Sequence, residues 1–135
     1  MYRRTKVLIA AEDRDYLDLI SPMINETTDL AVVGIAATEQ EFFHMIQEEK
    51  PDIVVLDVDA WRLYVLQLNG MDILQKMQMC GIDIPCVITT CISSVSHRRE
   101  LAALGAKWAL LKPFSDERLL EVIRSTADEN AVLVT

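Results

Sequence analysis

Glycine is scarce in this chain. The four among 135 residues, Gly34, Gly70, Gly81 and Gly105, are too scattered to form a GxGxxG or a phosphate loop. Such loops need clustered glycines so that backbone N–H groups can approach phosphates, so no nucleotide site is expected. Cysteine is equally sparse. Cys80, Cys86 and Cys91 are odd in number and lack CxxC spacing. They read as reduced thiols of a cytoplasmic protein, not as a disulfide frame or a zinc site. No apolar run approaches the roughly 18 residues of a membrane span. The basic start, residues 1–6, leads into an apolar stretch that soon meets Glu12 and Asp13, unlike a secretory signal. Positive charge is also short: 13 Lys and Arg stand against 21 Asp and Glu, for a net charge of −8. A nucleic-acid binder needs a basic face to neutralise phosphates, so direct nucleic-acid binding by this domain alone is not expected. There is no GxSxG and no recognisable Cys-His pairing for nucleophilic catalysis.

What remains is an ordinary globular balance of 51% hydrophobic and 25% charged residues. The length suits one domain, assigned to residues 1–130, with 131–135 as a tail or the start of a linker. Nearly all-apolar runs at 7–10, 30–36, 53–56, 84–88 and 108–111 read as strands covered on both faces. Between them lie helical patterns. Leu17, Ile20 and Ile24 line the first; Phe42 and Ile46 the second, behind a Thr38–Glu41 capping box. Ile73, Leu74 and Met77 mark the third, and Leu101 and Leu104 the fourth, which stops at Gly105. Leu119, Val122 and Ile123 mark the fifth, capped by Ser115 or Asp116. Five strand–helix periods predict an α/β fold: a doubly wound, flavodoxin-like (βα)5 parallel sheet in strand order 2-1-3-4-5.

In such a sheet, ligands collect beyond the carboxyl ends of the strands. Glu12 and Asp13 follow the first strand, Asp57 and Asp59 the third, Thr90 the fourth and Lys112 the fifth. Each has an ordinary reading alone. Asp57 suits a turn, Glu12 and Asp13 suit a helix N-terminus, and Thr90 suits a strand. Lys112-Pro113 suits a strand exit. Converged, they offer hard oxygen ligands for Mg²⁺, a lysine and hydroxyl for phosphoryl oxygens, and a carboxylate that accepts a phosphoryl group. His44 and His97 fall inside helical patterns and read as solvated or helix-face residues, not as ligands or general bases.

With these residues in place, the sequence resembles the receiver domain of two-component response regulators, the CheY-like family, over about residues 5–127. The resemblance rests on Pro51-Asp52-Ile53-Val54-Val55-Leu56-Asp57, on Ile84-Pro85 leading to Thr90, and on Leu104-Gly105-Ala106 leading to Leu111-Lys112-Pro113-Phe114. Within the family, Lys6-Val7, Arg14 and the last block are similar to the receiver of the sporulation master regulator. The resemblance implies a phosphorelay role. Asp57 is the phospho-acceptor for a phosphohistidine donor, held by a histidine kinase or phosphotransferase. Glu12, Asp57 and the backbone carbonyl of Asp59 are the Mg²⁺ ligands, with Asp13 as a further candidate. Thr90 and Lys112 contact the phosphoryl group, and the Lys112-Pro113 bond is cis. Such a domain is a signalling acceptor, at most self-phosphorylating and self-dephosphorylating, and not an enzyme acting on a separate substrate. A homodimer through the face of the fourth helix, fifth strand and fifth helix is also implied.

Three departures stand out. Ala11 replaces the first acid of the family's pair, which predicts weakened Mg²⁺ binding. Ala109 replaces the aromatic switch, with Trp108 on the opposite face of the strand. The loop 58–69 is long, lacks its usual proline and carries Trp61 and Tyr64, which suit either packing or a lid beside Asp57. The competing expectations are a degenerate pseudo-receiver that binds partners without phosphorylation and, more remotely, a flavodoxin-like small-molecule binder.

Overall fold

The computed structural model describes residues 4–59, 70–106 and 108–132. Strands and helices alternate: β1 (Thr5–Ala10), α1 (Arg14–Asn25), β2 (Leu30–Ala36), α2 (Glu39–Glu49), β3 (Ile53–Asp57), α3 (Gly70–Met79), β4 (Cys86–Thr90), α4 (Val95–Ala103), β5 (Trp108–Leu111) and α5 (Asp116–Val132). The strands pair in parallel in the order β2-β1-β3-β4-β5, as the alternation predicts.

The strand period of two builds two cores from one sheet. Val7, Ile9, Ile53, Val55, Val87 and Leu110 face one layer, with Leu17, Ile20 and Ile24 of α1 and Leu119, Val122 and Ile123 of α5. Leu8, Ala10, Val54, Leu56, Cys86 and Ile88 face the other, with Phe42 of α2, Ile73, Leu74 and Met77 of α3, and Leu101 of α4. Each buried Leu, Ile or Phe contributes about 1.5–3 kcal/mol relative to exposure, so these two layers dominate stability. β2 approaches α2 so closely at Gly34 that a Cβ there would lie 2.9 Å from the Met45 sulfur.

Side-chain caps fix where the helices begin. The Asp13 carboxylate accepts from the amides of Asp15 and Tyr16, Ser94 from that of His97, and Ser115 from that of Arg118. Thr38 accepts from the Glu41 amide, but the Glu41 carboxylate returns to the amide of Ala37, one residue before the cap. Past α4, Gly105 takes φ +90°, the left-handed turn expected of a helix-ending glycine.

Several boundaries differ from expectation: β1 starts at Thr5, not at residue 7, and β3 ends at Asp57, not at residue 56. β4 starts at Cys86, not at residue 84, and runs through Thr89 and Thr90. Pro85 has no N–H for the ladder, so it contributes only its carbonyl, which accepts from the Val54 amide at 3.0 Å. At the other end, α5 continues through Val132, so the first two residues assigned to the tail are helical.

Candidate functional site

The crevice is built from strand ends. β3 is buried along its whole length and delivers Asp57 at its last position. The Lys112-Pro113 bond that follows β5 is cis. There the Lys112 ammonium lies 2.9 Å from Asp57 Oδ1, which also accepts from the Asp59 amide at 3.2 Å. Lys112 also reaches Asp59 Oδ2 at 3.1 Å. The lysine therefore bridges two carboxylates. Both are deeply sunk, with side chains 8% (Asp57) and 6% (Asp59) exposed.

Asp59 was expected to contribute its backbone carbonyl. Its side chain is itself engaged in the crevice. Oδ1 accepts from the Thr90 hydroxyl at 2.9 Å, and Oδ2 from the Cys91 amide at 2.8 Å. Thr90 Oγ1 in turn accepts from the Ile92 amide at 3.1 Å and lies 3.2 Å from His97 Nε2. A hydroxyl has one proton. With that proton given to Asp59, His97 Nε2–H is the donor to Thr90. His97 is therefore a half-buried helix-face residue tied to the crevice. Its position in the first turn of α4 aims it back at the end of β4.

Tyr16 was missed by sequence reasoning. Its hydroxyl lies 2.7 Å from Thr89 Oγ1, and the Lys112 ammonium sits 4.6 Å from its ring centroid. A cation over a ring face is attracted by the ring quadrupole, so Tyr16 walls the lysine into the crevice. Burial, with the nearby carboxylates, pushes the Tyr16 hydroxyl well above its ordinary pKa and keeps it neutral. Its signal in the sequence was its place in the first turn after β1.

The carboxyls differ in character. Burial raises the Asp57 pKa, and the Lys112 hydrogen bond and charge only partly offset this. Burial also opposes ionisation of Asp59, yet Thr90, Lys112 and the Cys91 amide together hold its carboxyl below the ordinary value. The Lys112 ammonium is raised: burial disfavours it, but the two aspartates outweigh that.

Among the described residues, no three His, Cys, Asp or Glu side chains sit together as a preformed metal cluster. Mg²⁺ does not demand one, since it binds through one or two carboxylates and keeps several waters. Glu12 fits that chemistry: its Oε1 is buried and has no hydrogen-bond partner among the described residues. A buried anionic oxygen left bare costs free energy that a cation would recover. Asp13 is placed differently, with its Oδ1 committed to the α1 amides. Ala11 is fully buried where the family pattern has an acid. Trp61 and Tyr64 of the long loop lie outside the described residues.

A doubly wound α/β sheet with acids, a hydroxyl and a lysine at one carboxyl-end crevice defines a class of signalling receiver. The comparisons narrow it. Residues 7–124 match the family described as Response regulator receiver domain. The chain is 31% identical over 123 residues to Response regulator MprA of Mycobacterium ulcerans, covering 89% of this chain and 49% of that protein. It thus spans about half the length of that curated relative. The signal receiver domain of a putative Luxo repressor protein from Vibrio parahaemolyticus superposes with a TM-score of 0.82 at 20% identity, covering 96% of this chain and 95% of that one. A CheY-like response regulator receiver domain protein from Methanospirillum hungatei gives a TM-score of 0.79 at 23% identity, covering 94% and 96%. These two structures show the shared fold. The chain belongs to the response regulator receiver domain family of two-component systems.

Proposed function

We propose that this receiver accepts a phosphoryl group on Asp57 from the phosphohistidine of a histidine kinase or phosphotransferase. The observation that carries the reading is the Asp57–Lys112 pair at 2.9 Å on a sunken strand-end carboxylate. Among the described residues both contacts to that carboxylate fall on Oδ1, so Oδ2 is assigned the attack. The donor's P–N bond breaks, the Asp57 O–P bond forms, and the donor nitrogen takes up a proton. The Lys112 ammonium then has a phosphoryl oxygen to follow, and the Thr90 hydroxyl stands one strand away to bond another.

Glu12, Asp57 and the Asp59 carbonyl are the residues that would hold Mg²⁺. When bound, the ion neutralises charge gathering on the phosphoryl oxygens. Everything else falls to the chain: Tyr16 and Thr89 keep Lys112 in place, and the buried β3 fixes the carboxylate.

The output reading is a face rather than an active centre. Ile92, Val95, Trp108 and Leu111 are large, exposed apolar side chains around the start of α4 and along the edge strand β5. Exposed apolar side chains on an edge strand suit a homodimer or partner contact through α4, β5 and α5. No helix among the described residues is long and apolar enough to cross a membrane.

The buried Ala11 favours a second reading, a pseudo-receiver that binds partners without phosphorylation. Mg²⁺-dependent labelling with acetyl phosphate separates the two. Label on the wild type that disappears in Asp57→Asn supports phospho-acceptance. No label at any Mg²⁺ concentration supports the pseudo-receiver.

A further inference from the structure

The three donors around Asp59 differ in kind and come from separate places. The Thr90 hydroxyl is at the end of β4, the Cys91 amide one residue beyond it, and the Lys112 ammonium beyond β5. All three bond one carboxylate, at 2.9, 2.8 and 3.1 Å. Two of them, Thr90 and Lys112, are the groups that a phosphoryl group on Asp57 would need, and the third is Thr90's chain neighbour. A tetrahedral oxyanion and a carboxylate make the same demand on such donors: negative oxygens within charge-assisted hydrogen-bond reach.

The geometry points to Asp59 as an internal stand-in for the phosphoryl group, a tethered anion that occupies the phosphoryl donors until Asp57 is modified. This rests on the phospho-acceptor reading and specifies how that site is regulated. Before modification, Asp59 holds Thr90, and Thr90 takes the His97 Nε2–H, so the start of α4 is already tied to the crevice. After transfer, two anions compete for one set of donors, and the Asp59 carboxylate is displaced toward water. The cost of that displacement sets how readily the domain is labelled, because only the fraction with open donors is competent. If that fraction is about one in ten, labelling slows about tenfold.

The test compares wild type, Asp59→Ala and the isosteric Asp59→Asn. Two readouts are taken: Mg²⁺-dependent labelling by acetyl phosphate, and the Cys91 amide proton resonance without a phosphodonor. Asp59→Ala should be labelled about tenfold faster, Asp59→Asn should fall between, and the Cys91 amide should move upfield in both. An unmoved Cys91 resonance overturns the proposal. So does a moved resonance with unchanged or slower labelling, which makes Asp59 a helper and not a competitor. If no protein takes label, including Ala11→Asp, the phospho-acceptor reading fails, and orthophosphate titration decides this one. Asp59→Ala must then show phosphate-dependent shifts at Cys91 and Lys112 that wild type lacks. Their absence overturns it.

Discussion

The imidazole of His97 donates to the hydroxyl of Thr90 across 3.2 Å, joining the first turn of α4 to the last residue of β4. The resemblance implies an aromatic switch three residues before the lysine. Here that position is Ala109. The His97–Thr90 bond is a physical link between the crevice and α4.

Removing it should be measurable. His97→Ala is expected to cost about 1 kcal/mol in chemical denaturation, the usual net value of a hydrogen bond. His97→Gln, which offers an amide N–H on a comparable stem, should recover part of that. A His97→Ala protein with unchanged stability and unchanged Thr90 and Ile92 amide shifts would show that the bond carries nothing.

The two aspartates should separate on titration. Carbon-detected NMR is expected to place Asp59 below the ordinary aspartate value and Asp57 above it. The linkage signs differ accordingly. Asp59 contributes stability that is present above the unfolded-state value and is lost as pH falls through its depressed folded value. Asp57 does the reverse: its contribution is present below the unfolded-state value and is lost as pH rises through its raised folded one. Lys112, also raised, contributes stability that fades only as alkaline pH passes its folded value. In Lys112→Met, both aspartates should titrate higher than in wild type.

Restoring the missing acid should create dependence on metal. Ala11 is fully buried, so Ala11→Asp puts a carboxylate beside Glu12. Without divalent cation the variant should lose about 1–3 kcal/mol of stability, the cost of an unsatisfied buried polar group. Mg²⁺ should recover that loss by mass action and bind more tightly than to wild type. Equal Mg²⁺ affinity in both proteins would mean that the crevice gains no ligand from position 11.

The apolar face makes a separate forecast. Trp108→Asp and Leu111→Asp place charges on the exposed edge of β5. Sedimentation should show any homodimer of the wild type weakened in both, with acetyl phosphate labelling of Asp57 unchanged. A dimer that survives both substitutions uses another surface.

Within α5, Thr126 is fully buried, and its hydroxyl has no hydrogen-bond partner among the described residues. Thr126→Val keeps the shape and removes the stranded hydroxyl. Thermal unfolding should report a gain of about 1 kcal/mol.

The βα alternation was legible because parallel strands covered on both faces leave unbroken apolar runs, and Leu17, Ile20 and Ile24 repeat at helical spacing. The strand-end positions of Asp57 and Lys112 followed from the same pattern. Side-chain direction was less accessible. The Asp59 carboxylate depends on how the chain leaves β3. The one clue was its place two residues after Asp57, which a continuing strand period would put on the same side. Tyr16 and His97 each occupy a first helical turn, where a side chain can lean back over a strand end. Nothing in their spacing distinguishes that from facing water. Pro85 marked the start of β4, yet the apolar run 84–88 disguised it.

Thr89 and Thr90 are neighbours on β4, and the strand's alternation sends them to opposite sides of the sheet. Thr89 meets Tyr16 of α1, while Thr90 meets His97 of α4. The strand's last two residues thus act like a rocker between two helices that do not touch the same core. A small rotation of β4 toward a phosphoryl group would pull on one hydroxyl as it eased the other. The helices on both sides of the sheet would then register one event at its carboxyl end.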